Sequence, residues 1–275
     1  KFYKTYPLYE GKNIWIFMND FSDFNYYIHE NNIFLIESTQ NDRVVYRVQS
    51  ANTNERTFVS TVLPKKFPTG NSLNVCCLPP KYAVYISSLF NSFIFDWIIR
   101  NKVNTNVNIF YINQLPLFIS NDHKFFNSII AKSCRLLCTE PSFRNIWSDC
   151  FGTQWKESEF WYPNNVSLDY GVIHEADIRK LIKDESLSLT SKWESKFGVH
   201  DRLPDRRDTG DRAQLRAEID AYVAHLYGLN RDDFAYILET FPVLKKKEEK
   251  VFGEFMSKRK CLEEFDRIGT ILNAE

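Results

Sequence analysis

The chain has 275 residues, enough for one large domain or two modest ones with a full hydrophobic core. Aromatic residues make up 16% of it, which excludes a disordered chain. Lysine plus arginine balances aspartate plus glutamate at 35 each, so any surface for a polyanion must be a local basic patch set against acidic faces elsewhere.

Residues 1–80 read as strand-rich. The runs "NIWIF" (13–17), "NIFLIES" (32–38), "RVVYRV" (43–48), "TFVSTVL" (57–63) and "LNVCCL" (73–78) are short, β-branched or aromatic, and separated by Gly11, asparagine-rich turns and Pro64. Pro79 and Pro80 stop the last of these. A helix is predicted over 81–100, with Ile86, Leu89, Phe90, Phe93, Ile94 and Trp97 on one wide apolar face. The polar loop "NKVNTNVN" follows, and "IFYINQLPLF" (109–118) is predicted as a strand closed by Pro116.

A second apolar helix is predicted over 123–140, ending before Pro141. Residues 141–170 show no clear pattern, and 171–200 read as one or two charged helices. "DRLPDRRDTGD" (201–211) has the composition of a linker. In the tail, Asp211 is a predicted cap with Gln214 as its return partner. Leu215, Ile219, Tyr222, Val223 and Leu226 form an apolar stripe that Gly228 stops. Asn230 starts a short helix carrying Phe234, Ile237 and Leu238, ending before Pro242. After "KKKEEK" (245–250), a solvated charge run, a last helix is predicted over 249–268, burying Val251, Phe255, Leu262 and Phe265.

These elements give an α+β fold: a strand-rich mixed domain with packed helices over 1–120, a mostly helical extension over 121–205, and a helical C-terminal region over 206–275. Beginning at Lys1, the sequence reads as an excised piece of a longer protein. No apolar run approaches the length of a membrane span, and residues 1–30 lack the pattern of a signal peptide. Cys76, Cys77, Cys134, Cys138, Cys150 and Cys261 show no metal-ligand spacing, and Cys134 and Cys138 fit core thiols. A reduced, cytoplasmic setting is expected.

No residue set suggests catalysis. No glycine-rich cofactor loop follows a strand, and His29, His123, His174, His200 and His225 are scattered. Asp184, Glu194 and Lys196 have the spacing of a metal-dependent nuclease core, but "TSKWESK" (190–196) is polar and helix-like where that core needs an apolar strand.

Four stretches occur in a telling order: "PLYEGKNIW" (7–15), "NTNERTFVSTVLP" (52–64), "LFNSFIFDWIIRNKV" (89–103) with "NIFYINQLP" (108–116), and "LRAEIDAYVAHLYGLNRDDFAYILETFP" (215–242). Together they resemble the C-terminal region of large adenine-specific DNA methyltransferases of restriction-modification and phage-defence systems, with its TaqI-type target recognition domain. Thr105-Asn106-Val107-Asn108 and "IFMNDFSDF" (16–24) depart from the family pattern, at places where a recognition module varies. The resemblance implies a parent chain whose N-terminal domain binds S-adenosylmethionine and methylates a flipped adenine, with this region reading the DNA sequence. The fragment itself is then no enzyme and needs no cofactor. "LPPKY" (78–82) sits nearest the catalytic motif, but Leu78 stands where a side-chain amide must hold the flipped base.

On this reading the partners are double-stranded DNA and the methyltransferase domain of the parent chain, with no membrane. Candidate contacts are Lys12, Arg47, Asn54, Arg56, Arg100, Lys102, Asn104, Thr105, Asn106 and Asn108. Two readings stand for Asn54-Glu55-Arg56: a polar turn with an internal Glu–Arg pair, or a site whose Arg56 reaches a phosphate or a guanine edge. Amides of the 104–108 loop suit adenine edges, or simply form an asparagine-rich turn. The alternative function is a protein-interaction module of a defence complex that never touches bases. Convergence of Arg47, Arg56, Arg100 and Lys102 on one basic face separates the two.

Overall fold

The computed structural model describes residues 4–19, 24–33, 35–138, 141–151 and 211–274. The fold is α+β, with short antiparallel sheets towards the N-terminus and helices towards the C-terminus. The chain forms two compact units, Lys1–Asn91 with Phe95–Ile119, and Ser92–Ile94 with Ser120–Glu275.

In the first unit, β1 (Thr5–Pro7) pairs antiparallel with β4 (Tyr27–His29), and β2 (Ile14–Trp15) with β3 (Met18–Asn19). The predicted strand 13–17 is cut to two residues because the chain turns at Ile16 and Phe17, the latter at φ 55°. The main sheet has the order β6–β5–β7, with β5 (Arg43–Arg47) between β6 (Ser60–Leu63) and β7 (Leu73–Cys77), all antiparallel. Val44 faces Val62 on one side and Cys76 on the other. Arg43 through Tyr46 are all buried, so β5 is covered on both faces and reads as a continuous run rather than an alternation. Tyr46, Phe58 and Phe90 pack ring to ring at 4.5–6.0 Å, seating α2 (Pro80–Asn91) on this sheet.

Two predicted strands are not strands. The described residues of 32–38 lie instead at the end of helical turn α1 (Glu30–Ile33) and the start of a 3₁₀ turn (Glu37–Gln40). The Thr39 hydroxyl donates back to the carbonyls of Ile33 at 2.8 Å and Ile36 at 2.7 Å, a local alternative to a sheet ladder. Likewise 109–118 opens as helical turn α4 (Ile109–Ile112), with the backbone carbonyl of extended Asn108 before it accepting the Tyr111 N–H at 3.0 Å. The long helix predicted over 81–100 is two helices, α2 and α3 (Phe93–Arg100), bent by 62° at Ser92. At the break, the Asn91 side chain accepts the Ser60 N–H at 3.0 Å, so a polar side chain at the end of α2 holds β6. Among the described residues, no single helix is long and apolar enough to cross a membrane.

The second unit is helical. It contains α5 (Phe126–Leu137), α6 (Arg144–Phe151), α7 (Asp211–Leu226), α8 (Arg231–Glu239), α9 (Pro242–Phe252) and α10 (Met256–Ala274), with α7 packed between α5 and α10. Leu215, Ile219, Tyr222 and Val223 are buried as the periodicity predicts, and Gly228 ends the stripe at φ 67°. The Asn230 side chain caps α8 by accepting the Asp233 N–H at 2.8 Å. Asp220 reaches the Phe93 N–H at 2.7 Å, satisfying a donor at the start of α3. Lys132 on α5 forms a buried ion pair with Glu218 on α7.

Three details differ from expectation. Asp211 is the first residue of α7 rather than its cap, and Gln214 turns to α10, donating to Glu264 at 2.7 Å and accepting from Lys260 at 3.2 Å. "KKKEEK" lies inside α9, which Pro242 opens and Gly253 ends at φ 76°. The predicted helix 249–268 is thus split there: Phe255, just before α10, and Leu262 and Phe265 on it are buried, but Val251 on α9 is exposed. The charged helices at 171–200, the linker up to 210, the Asp184–Glu194–Lys196 spacing, His174 and His200 lie outside the described residues.

Candidate functional site

After β5 the chain does not leave the sheet region as a free loop. Val48 N–H donates to the Ser72 carbonyl at 3.0 Å, and its carbonyl accepts the Val107 N–H at 2.7 Å. Ser50 N–H donates to the Thr105 carbonyl at 3.0 Å, and Gln49 bridges Asn106 in antiparallel register. Two stretches of loop, 48–51 and 105–107, are thereby held side by side as a two-stranded rim. A turn closed by the Asn54 N–H on the Ala51 carbonyl at 3.1 Å completes it. The result is an open cleft of about 510 Å³ lined by Gln49, Ser50, Ala51, Asn54, Thr105 and Asn106. Its side chains are amides, hydroxyls and one methyl, with no ionisable group among them.

Beneath the turn lies a charged cluster. Arg56 is 4% exposed and points inward, donating from Nε to Asp96 at 2.7 Å and from a terminal nitrogen to the Asn91 carbonyl. The same carboxylate accepts the Thr57 N–H at 3.1–3.2 Å. Arg100, one turn after Asp96 on α3, donates to the carbonyls of Asn54 at 3.0 Å and Glu55 at 3.1 Å, with its Nε 3.5 Å from Asp96. Burial lowers the Arg100 pKa from its ordinary value, and the neighbouring Asp96 carboxylate opposes that shift.

This corrects the expectation for Arg56. It is not an outward contact, and its acidic partner is Asp96, forty positions away, rather than the adjacent Glu55 alone. Arg100 serves the same turn. Arg47 is half-buried, its guanidinium donating to the Ile14 carbonyl and lying 5.1 Å from the Trp15 ring centroid. Lys102 is exposed and donates to Gln114 at 3.2 Å, and Lys12 is exposed on the 3₁₀ turn Gly11–Asn13. Arg47, Arg56, Arg100 and Lys102 therefore do not converge as one basic face. Asn54, Thr105 and Asn106 do come together, on the cleft. Asn104 and Asn108 are exposed beside it, Asn108 immediately before α4.

Gln49 and Ser50 were not singled out from the sequence. Their place on the cleft follows from pairing with the distant 105–107 loop, for which no local signal exists. Among the described residues, no group of three or more histidine, cysteine, aspartate or glutamate side chains could hold a metal ion, and no cysteine is in a disulfide.

Compared with known proteins, the chain matches no family model, no curated protein and no solved structure.

Proposed function

We propose that the first unit reads the sequence of double-stranded DNA, as the specificity part of an adenine-N6 DNA methyltransferase whose catalytic domain and S-adenosylmethionine site lie elsewhere in a parent chain. The reading rests on the four ordered stretches that resemble such a specificity region. The observation that supports it is the cleft, where exposed Gln49, Asn54 and Asn106 bring three amides to one rim with the Thr105 hydroxyl, over the buried Ser50. An amide offers one donor and one acceptor side by side, which matches the N6 amino group and N7 of adenine in the major groove. Guanine presents two acceptors there and calls for arginine or lysine. The arginines nearest the cleft are engaged inside the protein, so the rim favours A·T edges. Phosphate contacts then fall to exposed lysines such as Lys12 and Lys102.

One observation favours the second reading, a protein-interaction module of a defence complex. The arginines expected on a basic face are turned inward, while Ile109 and Phe110 are 53% and 65% exposed just beyond the 105–108 loop. Selection from a randomised duplex pool at two salt concentrations decides between them. Enrichment of one short motif, with affinity falling as salt rises, supports DNA reading. No retention even at low salt rejects it in favour of the interaction module.

A further inference from the structure

We infer that Asp96 and Arg100 are positioning residues for the Asn54 side of the cleft, acting on specificity without touching the ligand; this rests on the DNA-reading proposal above. Among the described residues the turn at 52–55 pairs with no strand, and its backbone is closed by the Asn54 N–H on the Ala51 carbonyl. What fixes it comes from α3. One terminal nitrogen of Arg100 lies within hydrogen-bond distance of two successive carbonyls, those of Asn54 and Glu55. Asp96, with no exposed side-chain surface, sits 3.5 Å from the Arg100 Nε and 2.7 Å from the Arg56 Nε, and also takes the Thr57 N–H. A single carboxylate thus aims two guanidinium groups at the end of the turn, Arg100 on the Asn54 and Glu55 carbonyls and Arg56, the next residue, on the Asn91 carbonyl. Thr57 adds a third tie, its hydroxyl donating to the Ala51 carbonyl at 3.1 Å.

The consequence is geometric. A side chain that reads a base edge must hold its amide within a fraction of an ångström of its mark, which a turn held by one backbone bond does not ensure. Lysine in place of Arg100 keeps a cation beside Asp96 but has no planar fork for two carbonyls. Arg100→Lys is therefore the informative variant, since it leaves the buried Arg56–Asp96 pair intact. Asp96→Asn is its companion, near in shape but without the charge that aligns both arginines.

The experiment uses the full chain and has two independent arms. In the first, backbone hydrogen exchange is read by NMR at Asn54 and, as an internal reference, at Val45 in β5. Losing charge-assisted bonds at the turn should speed exchange at Asn54 by about tenfold and leave Val45 unchanged. Equal exchange at Asn54 in wild type and Arg100→Lys overturns the inference. In the second arm, affinity for the motif selected from the pool is compared with affinity for random duplex. Arg100→Lys should cut that ratio roughly fivefold while random-duplex affinity holds, and adding Asn54→Ala should cost little more, because both changes disable one element. Independent, multiplying losses, or a ratio unmoved by Arg100→Lys, reject the positioning role. If the wild-type chain selects no motif, the DNA-reading proposal fails by itself, and the exchange arm alone decides whether Arg100 sets the rim.

Discussion

The Arg56 guanidinium meets the Asp96 carboxylate at 2.7 Å across forty residues of chain, with both side chains essentially out of water. The pair ties the segment entering β6 to the middle of α3. It explains why asparagine, glutamate and arginine stand at the mouth of a buried strand: the arginine is an internal anchor, and the residues before it are the part presented to solvent. A buried pair of this kind does not by itself add stability over an apolar replacement, but it is unforgiving of a missing partner.

Asp96→Ala should therefore cost about 3–5 kcal/mol, since it leaves Arg56 charged and buried and strips the Thr57 N–H of its acceptor. Replacing both partners, Arg56→Met with Asp96→Leu, should cost clearly less than the sum of Asp96→Leu and Arg56→Met made singly. Urea unfolding of the four chains gives the cycle directly. Additive losses would show that the two side chains do not depend on each other.

How much of this was legible beforehand differs by element. β5 and β7 were readable as short runs built on β-branched, aromatic or apolar residues between turn residues, and the tail was readable from its period and from Asn230, Gly228 and Pro242. Short apolar runs such as 109–118 carry no periodicity that separates strand from helical turn, and the Asn108 side chain gives no capping bond that would have marked the turn. The inward turn of Arg56 was invisible for a different reason. Its partner lies on another element, and nothing in "NER" distinguishes an arginine with a buried aspartate from one that faces solvent. The cleft was half legible: Asn54, Thr105 and Asn106 were candidates on composition, whereas Gln49 and Ser50 joined them only through tertiary pairing.

The second unit should lose stability as pH falls through the ordinary histidine range. The His225 ring stacks on Phe265 at 4.0 Å with its Nε2 2.9 Å from the Phe265 carbonyl, so the ring's neutral form donates there. Burial lowers the His225 pKa; the Phe265 carbonyl and Asp266 oppose the shift, and Lys124 adds to it. Burial lowers that of His123 as well. The unfolded chain takes up these protons first, so their contribution is complete above pH ~6.5 and declines until pH passes below the folded values. His225→Gln keeps a donor to the carbonyl and should flatten the decline between neutral pH and pH ~5, with His123 accounting for a residue. Identical pH slopes for wild type and variant would remove His225 as a site of linked protonation.

The breaks at Gly228 and Gly253 can be tested as backbone effects alone. Both are in the left-handed region, at φ 67° and 76°, and a Cβ added at either would meet nothing within 4 Å. Alanine at each should cost about 1 kcal/mol, all of it conformational, with similar values at the two sites. Thermal or urea unfolding measures it. A gain in stability at Gly253 would mean that α9 and α10 accept a continuous path, contrary to the break that ends α9.

The composition of the cleft leads to the most discriminating binding outcome. On the DNA-reading proposal its amides would pair with adenine, since none of the residues lining it is an arginine to take the two acceptors of guanine. A motif selected by this chain should contain A·T pairs at the positions nearest the rim. Asn106→Ala should then relax preference at one such position by ~1–3 kcal/mol with random-duplex affinity little changed, because only a base-edge contact is removed. Lys102→Ala should behave in the opposite way, weakening all duplexes alike and lowering the salt slope by about one, if that lysine meets a phosphate. The two substitutions thus separate reading from clamping in one set of titrations. A selected motif made only of G·C pairs, or loss of base preference on Lys102→Ala rather than Asn106→Ala, would show that the amide rim is not the reading edge.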